Sequence, residues 1–124
     1  MDRESFERLV AQAVDDLPEE FLDRLENVDV IVEDQPTSGQ MRHLGLERGE
    51  TLLGLYEGVP RTVRGSHYGL VPPDKITIFQ RSIETKCLYG GSISAEIRQV
   101  VKHEIAHHFG ISDARLHQLE KEED

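Results

Sequence analysis

The sequence predicts an α+β fold in which a small mixed sheet of three or four strands packs on one long helix, with further helices at the N-terminus. Apolar side chains recur at helical spacing over residues 4–16, which is typical of an amphipathic helix. Three short stretches rich in β-forming residues, at 28–33, 51–56 and 75–80, predict strands. A second apolar stripe, formed by Ile97, Val101, Ile105 and Phe109, predicts the long helix that packs against the sheet.

Two helices are expected before the first strand. The apolar residues of the first helix recur at helical spacing: Phe6, Leu9, Val10, Ala13, Val14 and Leu17. Pro18 ends this helix, because the residue before a proline disfavours the helical backbone. Pro18 is itself well suited to the first turn of a helix. A second helical piece is therefore predicted from Pro18 to about residue 25.

The strands are joined by segments of different kinds. Residues 34–39 carry the turn formers of a loop, and residues 40–49 are expected to be an irregular or short helical connection. Gly54, inside the second predicted strand, predicts a bulge or the close approach of another element. Residues 57–73 are rich in Gly, Pro and Arg and lack a regular pattern, so they predict a long loop that covers or borders a cleft.

The long helix has recognisable signals at both ends. Ser92 or Ser94 can cap its first turn, where Glu96 complements the positive end of the helix dipole. Gly110 suits the left-handed residue that ends many helices, because it has no Cβ. A short helix over residues 81–88 is expected just before it.

The end of this helix carries the sequence H-E-x-x-H-x-x-G-x-x-D, from His103 to Asp113. His103 and His107 are four residues apart, so their imidazoles lie one turn apart on one helix face and can share a metal ion. Glu104 points into the same space and can act as general base toward a metal-bound water. After Gly110 the chain turns, and Asp113 can return as a third ligand. Three protein ligands and one open position make a catalytic zinc centre.

The motif resembles that of the small zincin-like metallopeptidases, whose active helix carries the same pattern. The stretches LGLYEGVP at 53–60 and PPDKITIF at 72–79 are also similar to that family, and the resemblance covers about residues 5–115. The chain departs from the larger metzincin group, because Met1 and Met41 are its only methionines and no Met-turn can follow the helix.

The resemblance implies a zincin-like fold and an activity. It implies that zinc is held by His103, His107 and Asp113, and that Glu104 is the catalytic base. It also implies that the strand at 75–80 edges the substrate cleft, where it can bind an extended peptide by strand addition. The alternative is a strand paired on both sides, and the sequence does not separate the two.

Several other residues are candidates for parts of such a site. A later glutamate, Glu120 or Glu122, is the rival third zinc ligand, as in gluzincins, although little chain remains to hold either one. Tyr68, and less readily His67, can donate a hydrogen bond to a developing oxyanion from the 57–73 loop. His108 lies on a different helix face from the other two histidines of the motif and is expected to pack or to support them.

The composition excludes several classes of protein. A chain of 124 residues with 37% hydrophobic and 31% charged residues is expected to form one globular domain over 1–124. The net charge of −10 argues against nucleic acid as a partner. No apolar run approaches the ~20 residues that span a bilayer, and the charged N-terminus does not resemble a signal peptide, so a cytoplasmic protein without membrane partners is expected. Cys87 is the single cysteine, which excludes an internal disulfide.

The leading interpretation is a zinc-dependent metallopeptidase that hydrolyses a peptide or protein substrate by Glu104-assisted attack of a metal-bound water. The alternative is a catalytically silent zincin-fold module that binds a peptide or protein. The two differ in whether the fourth zinc position opens into a cleft or is blocked by the 57–73 loop. A purely structural zinc site would require a fourth ligand such as His67.

Overall fold

The computed structural model describes residues 1–45, 52–58, 73–111, 114–115 and 118. The α+β class is confirmed, with a small mixed sheet and several helices. No helix in the described part of the chain is both long and apolar enough to cross a bilayer. In chain order the elements are α1 (Arg3–Asp15), α2 (Glu19–Arg24), β1 (Val28–Glu33), α3 (Ser38–His43), β2 (Gly54–Glu57), β3 (Asp74–Phe79), α4 (Gln80–Lys86) and α5 (Ile93–Phe109).

β3 is the central strand of the sheet, between β1 and β2. It pairs in parallel with β1 and antiparallel with β2, where Gly54 lies opposite Ile78. The expectation that the strand at 75–80 edges the cleft is therefore wrong. Both neighbouring strands bond to β3, and its residues 76–79 are fully buried. In the described sheet β2 is the edge strand that packs against α5.

The hydrophobic core lies where α5 packs against α1, the short helices α2 and α4, and the sheet. Most of both predicted faces is buried, but Leu9 and Val14 are only partly buried, and Phe109, the last residue of the predicted α5 stripe, is 43% exposed because the helix ends there. On α1 the buried residues are Phe6, Val10 and Ala13, and on α5 they include Ile97, Val101 and Ile105. Because α5 is anchored by this stripe, its orientation relative to β2 and β3 is set by the core.

Both predicted ends of α5 are confirmed. Ser92 is the N-cap, and its hydroxyl accepts a hydrogen bond from the Ala95 N–H at 3.2 Å. Gly110 is the C-cap residue, with φ of 68°, a left-handed conformation that a side chain would disfavour. α5 therefore ends at Phe109, just before the G-x-x-D segment of the motif.

The starts of β2 and α3 differ from the prediction. β2 begins at Gly54 rather than at residue 51 and runs to Glu57, because its ladder pairs with residues 75–78 of β3. α3 begins inside the predicted 34–39 loop, since Thr37 and Gln40 form a reciprocal capping box that starts a helix there.

Candidate metal centre

α5 brings the two motif histidines together. The rings of His103 and His107 have centroids 6.2 Å apart and planes inclined by 65°, as expected for side chains one turn apart. His103 is half-buried and His107 is exposed. The pair thus lies at the border between the core and solvent, where an ion can enter from outside.

The two imidazoles of His103 and His107 are suitable zinc ligands. Imidazole is a preferred zinc donor, and two imidazoles on successive turns are two of the three protein ligands of a catalytic site. Among the described residues no group of three or more His, Cys, Asp or Glu side chains is close enough to hold a metal ion. Asp113, the predicted third ligand, lies outside the described residues, as do the rival Glu120 and Glu122.

Glu104 faces the edge strand. Its carboxylate accepts a hydrogen bond from the Tyr56 backbone N–H of β2, and the side chain is half-buried. Burial raises the pKa of Glu104, while the Tyr56 hydrogen bond and the nearby His107 act in the opposite direction and only partly compensate. A carboxyl group with a raised pKa takes up and releases a proton more readily near neutral pH, as a general base and acid must.

A cleft of about 380 Å³ lies along α5 beside these groups. His103 and Glu104 line it together with Leu53 and Gly54 at the start of β2. Its far end carries the Lys86–Glu96 ion pair, whose charged atoms are 2.5 Å apart. The cleft therefore offers an apolar wall beside the candidate base and a polar end farther along the helix.

Gly54 allows β2 to approach α5 at this cleft. A Cβ at this position would overlap the side chain of Val100 and lie 3.2 Å from the Thr77 carbonyl oxygen. The predicted close approach at Gly54 is thus confirmed, and its partner is the helix that carries the motif. This approach brings the backbone of β2 within hydrogen-bonding reach of Glu104.

A second cluster holds β2 against the end of α5. The Tyr56 ring stacks on His108 with centroids 3.8 Å apart and planes 15° apart. The Tyr56 hydroxyl donates to Asp74 Oδ2 at 2.7 Å, and His108 Nε2 lies 3.9 Å from the same oxygen. Asp74 is buried. His108 therefore packs against β2, in keeping with the packing role predicted for it.

Sequence reasoning missed Tyr56, Asp74 and Gln99 as neighbours of the site. Tyr56 and Asp74 lie on different strands, and no local pattern links them to the helix. Gln99 carried a usable signal, because it precedes His103 by four residues and so lies on the same helix face. The oxyanion candidates Tyr68 and His67, and most of the 57–73 loop, lie outside the described residues.

The comparisons with known proteins agree with the fold and identify the family. The chain belongs to the zincin-like metallopeptidase family, whose sequence model matches residues 25–123. The predicted family is thereby confirmed.

One solved structure with a similar fold is a conserved hypothetical protein from Thermo thermophilus. It is 24% identical in sequence, with a TM-score of 0.58, and the match covers 88% of this chain and 94% of that one. This likeness shows the fold alone. No curated protein matches the sequence.

Proposed function

We propose that this protein is a zinc-dependent metallopeptidase, with residues 1–124 acting as one catalytic domain on cytoplasmic peptides or proteins. The observation that carries the proposal is the position of Glu104. Its carboxylate is half-buried, lies between the two motif histidines in sequence, and lines the same cleft as His103. Family membership supports the same chemistry.

Each motif residue has a role in the proposal. His103, His107 and Asp113 are the zinc ligands, and Tyr68 is the donor to the oxyanion. When bound, zinc acidifies a water molecule and polarises the scissile carbonyl. Glu104 accepts the proton of the attacking water and later delivers it to the leaving amine, so that the same carboxyl group acts first as base and then as acid.

The cleft supports a peptide as the substrate. An extended chain rises about 3.3 Å per residue and a helix about 1.5 Å, so the seven helical steps of α5 from Glu96 to His103 run alongside roughly three residues of extended peptide. Leu53 and Val100 line this length and present apolar contacts to it. Because one end of the cleft carries the polar Lys86–Glu96 pair and the other does not, a bound peptide can be held in one orientation.

The Glu104→Gln variant tests the catalytic role. It keeps the shape and hydrogen-bonding capacity of the side chain but cannot take up a proton at physiological pH. We expect zinc content equal to wild type and a loss of peptide cleavage of at least about 100-fold, in the range of general acid–base contributions. Cleavage of a mixed peptide library, followed by mass spectrometry, measures this loss.

Glu7→Gln on the exposed face of α1 is the matched control and should cleave like wild type. Cleavage by Glu104→Gln at the wild-type rate would refute the assignment.

A peptide-binding module without turnover is the second candidate. It differs from the first candidate in whether a third ligand completes an open catalytic zinc centre; the proposed third ligand, Asp113, lies outside the described residues. Zinc content separates the two candidates. About one zinc per chain in wild type, much reduced in Asp113→Ala but not in Asp23→Ala, supports the three-ligand catalytic site. Wild-type protein that binds peptides, but neither cleaves them nor binds zinc, would establish the module.

A further inference from the structure

β1 forms the second edge of the described sheet, on the other side of β3 from β2. Its parallel ladder with β3 uses the backbone groups of alternate residues, beginning with the Asn27 carbonyl, which accepts from the Asp74 N–H at 3.2 Å. The residues between them, Val28, Val30 and Val32, therefore direct their own N–H and C=O groups away from β3. This outer edge carries the backbone groups to which a further strand can bond.

Both ends of the outer edge are bonded, whereas its middle is open. At one end the Val28 N–H donates to the Leu25 carbonyl at 3.1 Å, and at the other the Val32 carbonyl accepts from the Arg3 guanidinium at 3.1 Å. No hydrogen bond from a described residue reaches the Val28 carbonyl, the two backbone groups of Val30 or the Val32 N–H. These groups suffice for a short ladder with an added strand.

An apolar groove of about 480 Å³ runs between α1 and this edge. Val10 and Val14 of α1 line one side, and Val30 and Val32 of β1 line the other. Val14, Val30 and Val32 pack against the core but remain only partly buried, so the apolar surface here is wider than the core covers. A strand added to β1 would place alternate side chains over this groove.

The charged side chains along the edge are acidic. Asp29 and Glu33 project from the opposite face of β1 to Val30, with Ile31 between them, and Asp15 lines the groove. None of these carboxylates forms an ion pair with a described residue. An added strand can therefore place basic residues opposite Asp29 and Glu33, on either side of an apolar residue opposite Ile31.

The same charges oppose pairing of β1 with a second copy of the chain. An antiparallel pair of β1 strands with its two-fold axis at residue 29, 30 or 31 sets Asp29 directly across from, or diagonal to, an acidic residue of the other copy. Like charges at these positions destabilise a strand pair, and the net charge of −10 adds repulsion between copies. Charge complementarity therefore favours a basic segment of another protein.

We propose that the outer edge of β1, with the α1 groove beside it, binds an extended basic segment of a partner protein by strand addition. On one face of this segment basic residues flank an apolar residue, and on the other face apolar residues cover the groove. Backbone bonds to Val30 give affinity, and the side-chain pattern gives specificity. The surface lies at the opposite edge of the sheet from the β2 cleft, so it does not depend on the zinc centre.

Fluorescence anisotropy of a labelled Lys-Val-Val-Val-Lys peptide tests this surface. We expect saturable binding to the wild-type protein. N-methylation of the second and fourth residues removes the N–H groups that face β1 and should weaken binding at least about 10-fold. N-methylation of the third residue, whose N–H points away from β1, is the matched control and should leave binding within about 2-fold. A Glu-Val-Val-Val-Glu peptide should not bind.

Variants of the protein test the same contacts from the other side. Val30→Pro removes the N–H on the open side and leaves the ladder with β3 intact, a change that edge strands tolerate, and it should weaken binding at least about 10-fold. Asp29→Asn with Glu33→Gln should weaken binding and reduce its dependence on salt. Glu19→Gln with Asp23→Asn, on α2, is the charge-matched control and should bind like wild type.

Several outcomes would overturn the proposal. Equal binding of the two N-methylated peptides rules out strand addition, whether or not any variant folds. Wild-type affinity in a Val30→Pro protein with the wild-type circular dichroism spectrum places the peptide elsewhere, such as the cleft beside Glu104. Absence of binding to the wild-type protein also overturns the proposal. A concentration-dependent dimer that Val30→Pro abolishes would assign the edge to a second copy instead.

Discussion

Tyr56 acts at two places through two different groups. Its backbone N–H donates to the Glu104 carboxylate, while its hydroxyl donates to the buried Asp74 and its ring stacks on His108. The Tyr56 side chain thus links β2 to β3 through its hydrogen bond and to the end of α5 through its stacked ring. A single residue of the edge strand thereby supports the position of the candidate catalytic base.

The hydroxyl of Tyr56 is expected to contribute measurably to stability. Tyr56→Phe removes the hydrogen bond to the buried Asp74 carboxyl group, and we expect a loss of about 1–3 kcal/mol in the free energy of unfolding. Urea denaturation followed by circular dichroism measures it. Tyr89→Phe is the matched control, because Tyr89 is 99% exposed and its hydroxyl should contribute nothing. Equal midpoints for wild type and Tyr56→Phe would show that the Asp74 bond is not formed in solution.

At the scale of elements, the contact between β2 and α5 builds the cleft. It is close because Gly54 has no side chain where Val100 projects from the helix. The strand is at the edge of the described sheet, so its position depends on this contact as well as on its ladder with β3. Packing between strand and helix therefore sets the width of the cleft.

A methyl group at residue 54 should push β2 away from α5. We expect Gly54→Ala to lose about 1–3 kcal/mol of unfolding free energy, as overpacked cores do. Val100→Ala removes the group that the new methyl would strike. The double variant should therefore be less destabilised than the sum of the two single variants, which a double-mutant cycle of urea unfolding curves detects. Strict additivity would mean that Gly54 and Val100 do not touch.

At the scale of the whole molecule, binding of a metal should be linked to folding. His103 and His107 lie on a helix whose buried face is part of the core, so the donors are held together only in the folded chain. An ion that binds the folded state but not the unfolded state stabilises the protein by mass action.

Zinc should therefore raise the melting temperature of the protein. At a free zinc concentration 100 times the dissociation constant, the expected stabilisation is about 2.7 kcal/mol. Thermal unfolding followed with zinc, and again after excess chelator, measures the rise and its reversal. His103→Ala should abolish the shift, whereas His43→Ala, on the short helix α3, should retain it. A shift that survives His103→Ala would place the ion elsewhere.

Much of the fold was predictable because its signals are local. The apolar stripe predicted the buried face of α5 at Ile97, Val101 and Ile105, although not at the exposed Phe109, and Gly110 predicted the end of the helix. The order of helices and strands followed in the same way. The pairing of the strands was harder to predict from the sequence. The start of β2 was misplaced by three residues, and β3 was expected at the edge of the cleft.

The sequence by itself determined the family, the α+β class and the helix that presents His103, Glu104 and His107 within one turn of each other. These features follow from the spacing of residues that are close together in the sequence. Only the tertiary structure decided that β3 is central, that Tyr56 meets both Glu104 and Asp74, and that Gly54 packs on Val100. Such contacts join residues far apart in the chain, and their free energy depends on how the whole core packs rather than on any local pattern.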